Sequence, residues 1–167
     1  MSATDEAAFR AFASTRRPML RRTAYLLCGD WHQADDLVQT TLVKLYGAWR
    51  RVQRSEPDGY ARRILLRCFL DERRRPWRRE TPGQLPEEPG MVSPYDVERL
   101  DVHTALASLP PRQRATLVLR FWIDATVTET ASILGCSEGT VKSQTARALT
   151  HLRDLLGDPE LVTEELS

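Results

Sequence analysis

Four prolines and two glycines fall within the 19 residues ETPGQLPEEPGMVSPYDVE, from Glu80 to Glu98, and they limit what the chain can fold into. Pro82, Pro86, Pro89 and Pro94 each lack a backbone N–H, and Gly83 and Gly90 add freedom, so no helix persists here and little apolar material is available to bury. The chain is expected to form two small modules, residues 9–79 and 98–156, joined by a linker at residues 80–97. With 167 residues in all, each module sits near the lower end of independently stable sizes, too small to enclose a wide enzyme cavity. No run of about 18 apolar residues is present, which argues against a membrane span. The opening MSATDEAAFRAF lacks the cationic and apolar regions of a secretory signal, so a cytoplasmic location is expected.

The formal charge of +1 hides a segregated pattern. Residues 1–79 carry 17 basic and 9 acidic side chains (+8), residues 80–101 carry 1 and 6 (−5), residues 102–156 carry 6 and 4 (+2), and residues 157–167 carry 0 and 4 (−4). Two basic modules separated by an acidic strap suit a polyanionic partner far better than the total implies.

The stretch TVTETASILGCSEGTVKSQTARALTHLR, Thr126 to Arg153, predicts a helix, a tight turn and a second helix. Thr126 with Glu129 three residues on forms a capping-box pattern, and Gly135 stands where the chain must reverse and a positive φ is needed. Ser137 suits the cap of the next helix, in which Val141, Ala148, Leu149 and Leu152 recur as one buried stripe. Lys142, Ser143, Ala146 and Arg147 lie on the other face, where small residues permit close approach to base edges and cations meet phosphates. Ala131, Gly135 and Val141, at offsets of four and six, are what a tight two-helix crossing requires. An ordinary helical hairpin shares many of these features.

TETASILGCSEGTVKSQTARAL, with the preceding SLPPRQRATLVLRFW, resembles region 4 of the extracytoplasmic-function sigma factors of bacterial RNA polymerase. Leu109, Pro110 and Arg114 occupy that family's Leu-Pro-x-x-x-Arg places. Pro111 fits the first helical turn, and Leu117, Val118, Phe121 and Trp122 read as an apolar stripe. The resemblance implies that Ser137, Thr140, Lys142, Ser143, Gln144 and Arg147 meet the minus 35 duplex.

The amino-terminal half resembles region 2 of the same family. GDWHQADDLVQTTLVKLYGAW is similar to the segment that docks on core polymerase, which implies that role for Asp35, Asp36, Leu37, Gln39 and Thr40. Independently of that, Val38, Leu42, Leu45, Tyr46 and Trp49 fall on one side of a helix and read as core, leaving Asp35, Asp36, Gln39 and Lys44 outside. GYARRILLRCFLDERRRPWRR resembles the element that meets the melted minus 10 promoter, implying strand contact for Arg62, Arg63, Arg67, Arg74, Arg75 and Trp77. Tyr60, Ile64, Leu65, Cys68 and Phe69 form its expected buried side. Cations with an embedded aromatic suit a phosphate backbone and an unpaired base.

Three positions depart from the family pattern. Arg67 stands where Asn is frequent and cannot accept a hydrogen bond as an amide does, so it reads different base edges. Gln144 replaces a usual arginine, and Thr145 a usual apolar residue. In the linker, Glu87 and Glu88 fit either a mimic of phosphate along an RNA path or a solvated spacer.

Cys28, Cys68 and Cys136 are odd in number, form no CxxC pair and share no ligand spacing with His32, His103 or His151, so buried packing thiols and no metal or other cofactor are expected. No nucleophile triad, phosphate loop or paired carboxylates appear, and no catalytic activity is expected. The resulting expectation is an all-α, two-domain sigma factor. Its partners would be core polymerase, promoter DNA as duplex and as non-template single strand, and an anti-sigma factor, a partner common in the family. Two rival readings remain. One is a duplex-binding activator that never joins polymerase, and the other is a decoy whose sigma-like surfaces capture an anti-sigma factor.

Overall fold

The computed structural model describes residues 1–74 and 102–156, and these form helices joined by short turns. The linker with Glu87 and Glu88, the acidic tail and the expected strand contacts Arg75 and Trp77 lie outside the described residues. The chain divides into two compact units, Met1–Phe69 and Leu70–Ser167.

In the first unit, α1 (Ala3–Cys28) and α2 (Trp31–Val52) pair along their length, and α3 (Pro57–Arg74) follows, its last five residues falling past the division at Phe69. Ser2 caps α1: its Oγ accepts from the Asp5 N–H at 3.1 Å while its own N–H donates to Asp5 Oδ2 at 3.4 Å. Gly29 ends the helix in the left-handed conformation at φ 73°, and Asp30 immediately caps α2 by accepting from the Gln33 N–H. The two helices are thus joined by only two residues, which forces them antiparallel.

Leu20, Ala24 and Leu27 of α1 are buried, as are Ala34, Leu37, Val38, Leu45, Trp49 and Val52 of α2 and Ala61 and Leu65 of α3. Each fully buried leucine is worth about 2 kcal/mol of transfer free energy. Phe9 and Phe12 add an aromatic cluster with Trp49, with ring centroids 5.3 Å apart in each pair.

The expected α2 core departs from the structure at Tyr46 and Leu42. Tyr46 packs edge-on against Phe9 at 5.0 Å yet remains 41% exposed, and Leu42 is half-buried. Both lie at the margin of a stripe narrower than the sequence pattern suggests. On α3, Leu65, Cys68 and Phe69 are buried as expected, whereas Tyr60 and Ile64 are only partly covered. Cys28 and Cys136 are likewise half-buried, so only Cys68 meets the expectation of a buried thiol.

In the second unit a helical segment at 102–108 (α4) leads through Leu109 and Pro110 into α5 (Pro111–Leu117), with Pro111 in the first turn as expected. The ladder then widens into one π-turn, Val118–Trp122, in which the Ile123 N–H donates to the Val118 carbonyl. Asp124 takes the left-handed conformation at φ 59°, and Arg120 Nη1 donates to the Ala125 carbonyl at 2.6 Å, closing the turn before α6 (Val127–Leu134). The capping box of Thr126 and Glu129 forms in both directions, at 3.1 and 2.8 Å. Gly135 sits at φ 66°, and α7 (Glu138–Leu156) follows.

Residues Gln113 to Leu119 are all buried, so α5 and the start of the π-turn run through the centre of this unit. Leu117 and Val118 are in the core as expected, while Phe121 and Trp122 are half-buried because the wider turn carries them off the apolar stripe. Polar ties complete the packing. Arg112 Nη2 donates to the Leu134 carbonyl at the end of α6 at 2.9 Å, and Gln113 Oε1 lies 2.9 Å from His151 Nδ1 on α7.

Arg114 is 4% exposed, and its Nη2 donates to the carbonyls of Ala107 and Leu109 at 2.7 and 2.9 Å. These belong to the end of α4 and the turn after it, so one guanidinium satisfies two carbonyls that no helix ladder reaches. Arg114→Leu keeps the apolar contacts but strands both carbonyls. It is expected to cost about 2–4 kcal/mol in denaturant unfolding followed by circular dichroism, whereas the exposed control Arg147→Leu should change stability by less than about 0.5 kcal/mol.

Candidate nucleic-acid and partner interfaces

On α7, Ser137 is the cap rather than a free hydroxyl. Its Oγ accepts from the Thr140 N–H at 3.1 Å and shares a hydrogen bond with Thr140 Oγ1 at 2.9 Å. Thr128 Oγ1 donates to Glu138 Oε1 at 2.8 Å and links α6 to the start of α7. Val141, Ala148 and Leu152 are fully buried, with Leu149 half-buried beside them. That orientation leaves Lys142, Ser143, Ala146 and Arg147 exposed along the opposite side.

Gln144 stands apart from that exposed stripe. It is half-buried, and its Oε1 is enclosed without a hydrogen-bond partner. Thr145 Oγ1 donates back to the Val141 carbonyl at 2.8 Å, so its hydroxyl is satisfied within the helix.

On α3, Arg63, Arg67 and Arg74 are exposed at offsets of zero, four and eleven, one helical stripe, while Arg62 is half-buried beside it. Arg63, Arg67 and Arg74 make no hydrogen bond or ion pair among the described residues, so their charge faces outward.

The surface of α2 divides differently from the sequence expectation. Leu37 is completely buried, so its side chain belongs to the core and not to the exposed surface. Asp36, Gln39 and Thr40 are exposed. Val43, 66% exposed, and Gly47 continue the same stripe at offsets of seven and eleven from Asp36, although neither belongs to the docking residues that the sequence implies. Their signal was an apolar residue and a glycine outside the core periodicity. A Cβ placed on Gly47 would meet nothing within 4 Å.

Asp35, expected beside Asp36 on the outer surface, is engaged by α1. Arg21 Nε donates to its Oδ1 at 2.6 Å and Nη2 to its Oδ2 at 3.3 Å. The guanidinium carbon lies 4.3 Å from the Trp31 ring centroid, and Trp31 stacks on Tyr25 at 3.9 Å with 11° between planes. The Arg21 hydrogen bonds hold the Asp35 carboxyl below its ordinary range, and the Asp35 hydrogen bond raises Arg21 in turn.

A carboxylate depressed in the folded state stabilises the fold above the unfolded pKa and loses that contribution as pH falls through its folded value. Asp35→Asn should therefore lower the melting temperature relative to the unaltered chain at pH 7. The gap should close as pH drops below about 4, where the unaltered chain also loses its carboxylate. Thermal unfolding of both proteins between pH 7 and pH 2.5 tests this, and a gap that persists at the acid end contradicts it.

Both halves of the chain match known proteins. Residues 6–79 match the family described as Sigma-70 region 2, and residues 99–152 match Sigma-70, region 4. RNA polymerase sigma-E factor of Streptomyces coelicolor is 36% identical over 165 residues, covering 95% of this chain and 88% of that protein. ECF RNA polymerase sigma factor SigL of Mycobacterium tuberculosis is 31% identical over 163 residues, covering 91% and 90%. The sigma factor RpoE of Bartonella quintana, solved in complex with the anti-sigma factor NepR, shares the fold with a TM-score of 0.73 at 27% identity, covering 89% of this chain and 96% of that one. The chain belongs to the sigma-70 family of RNA polymerase sigma factors, in its extracytoplasmic-function group.

Proposed function

We propose that three exposed stripes divide the work of promoter recognition. Asp36, Gln39, Thr40, Val43 and Gly47 on α2 dock on core polymerase. Arg63, Arg67 and Arg74 on α3, with Arg62 at their edge, follow the non-template strand at the minus 10 element, a role that the sequence extends to Arg75 and Trp77. Lys142, Ser143, Ala146 and Arg147 on α7 enter the minus 35 duplex, positioned by the Ser137 and Thr140 cap. Capture of unpaired bases and duplex contacts together offset strand separation, which costs a few kcal/mol per unstacked base. The observation that carries the reading is the orientation of α7, whose buried Val141, Ala148 and Leu152 point its small and cationic residues outward.

The described residues include no group of three or more His, Cys, Asp or Glu placed to hold a metal, and no described helix is long and apolar enough to cross a membrane. This reading assigns the nucleotide chemistry to polymerase and places the chain in the cytoplasm. The structure of a relative with its anti-sigma factor supports the same kind of protein partner here.

Transcription in vitro by core polymerase with this chain, with products sequenced, tests the reading directly. The expected result is initiation at defined start sites. The absence of both initiation and association with core at low salt overturns it.

Two substitutions probe the surfaces. Gln144 is half-buried and supplies no cation, so Gln144→Arg should tighten binding to a minus 35 duplex and steepen the plot of log affinity against log salt by about 0.9, as one added phosphate contact requires. An unchanged slope shows that position 144 lies away from the backbone. Gly47→Ala should raise stability by about 0.5–1 kcal/mol, because α2 continues through it and nothing obstructs the methyl group. The same change should weaken core association if Gly47 provides a close approach. Equal affinity of the two proteins would remove Gly47 from the docking surface.

A further inference from the structure

The adjacent acids Asp35 and Asp36 are one feature in the sequence and two different objects in the fold. Both Asp35 oxygens receive hydrogen bonds from Arg21, and Arg17 and His32 add further positive potential around it. A carboxylate whose charge is already matched by a bidentate guanidinium has little attraction left for an incoming cation. Asp36 lies one residue on, about 100° around the helix, and is exposed with no hydrogen bond or ion pair among the described residues.

The Arg21 guanidinium is itself held. It lies over the ring of Trp31, the first residue of α2, and that ring stacks on Tyr25 one turn further along α1. Across the two-residue joint at Gly29 and Asp30, the group ties the last two turns of α1 to the opening turns of α2. The buried stripe of α2 sets which way Asp36, Gln39 and Thr40 face, and this group on α1 braces the turns that carry Asp35 and Asp36.

We propose that Arg21 is a positioning residue for polymerase docking: it takes up both oxygens of Asp35 and steadies the opening turns of α2, so that Asp36 is the carboxylate the polymerase meets. This rests on the docking role of the α2 stripe proposed above. It adds a division of labour between the paired acids and gives a residue of α1 a part in it.

The test is a titration of fluorescently labelled full chain with core polymerase, with the melting temperature of each variant measured in parallel. Asp36→Asn is expected to weaken association about tenfold with an unchanged melting temperature. Arg21→Gln and Asp35→Asn are each expected to weaken it about threefold, at a temperature where both remain folded, and the double variant should be no weaker than either single one, because both break the same contact.

Three results would overturn the proposal. One is a loss of affinity in Asp35→Asn that Arg21→Gln does not share, which would mean that Asp35 touches the partner itself. Another is full affinity in Asp36→Asn. The third is unchanged affinity in both Arg21→Gln and Asp35→Asn despite a lowered melting temperature, which would make the pair a structural staple alone. Failure of the unaltered chain to bind core would instead remove the docking role, a distinct outcome visible before any variant is compared.

Discussion

A helix that buries one stripe of side chains has no choice about which stripe it leaves outside, and the function of this chain depends on that constraint. On α7 the buried Val141, Ala148 and Leu152 dictate that Lys142, Ser143, Ala146 and Arg147 face out. On α2 the buried Leu37, Val38, Leu45 and Trp49 do the same for Asp36, Gln39, Thr40 and Val43. Each interaction surface is thus a by-product of core packing, and its aim is as accurate as that packing.

Accuracy of aim requires that helix ends be fixed as well as helix faces. Arginines serve this in unusual positions. Arg112 reaches the carbonyl end of α6, Arg114 is buried beneath the turn into α5, Arg120 closes the turn before α6, and Arg21 holds the opening of α2. A planar fork of donors meets two acceptors at once or spans from one helix to an irregular turn, which lysine cannot do with comparable geometry. In a chain whose basic residues suggest nucleic acid at first sight, these four are occupied within the protein.

Local chemistry made much of the fold legible in the sequence. The Thr126 and Glu129 box, the reversal at Gly135, the Ser137 cap and the stripe of α7 depend on residues within a few positions of one another, and each forms as the spacing indicates. What the sequence concealed is tertiary. Periodicity placed Tyr46 in the core without showing how narrow the α1 contact is. Asp35 read as an unpaired charge because its partner is 14 residues away on another helix. Leu37 sat inside a docking motif although its place on the helix makes it core. Val43 and Gly47 were passed over because exposure of an apolar residue becomes informative only once its neighbours on the surface are known.

The π-turn at Val118–Trp122 has an implication for how this module tolerates changes in length. Such a turn holds one residue more than the ordinary ladder, so the surplus is absorbed locally instead of being passed along the chain. Removing a single residue there would let the ladder close into a regular α-turn, with Arg120 and Asp124 no longer spaced to seal the bend. The bend, and with it the entry of the chain into the reading helices, is where this unit would register an insertion or deletion most sharply.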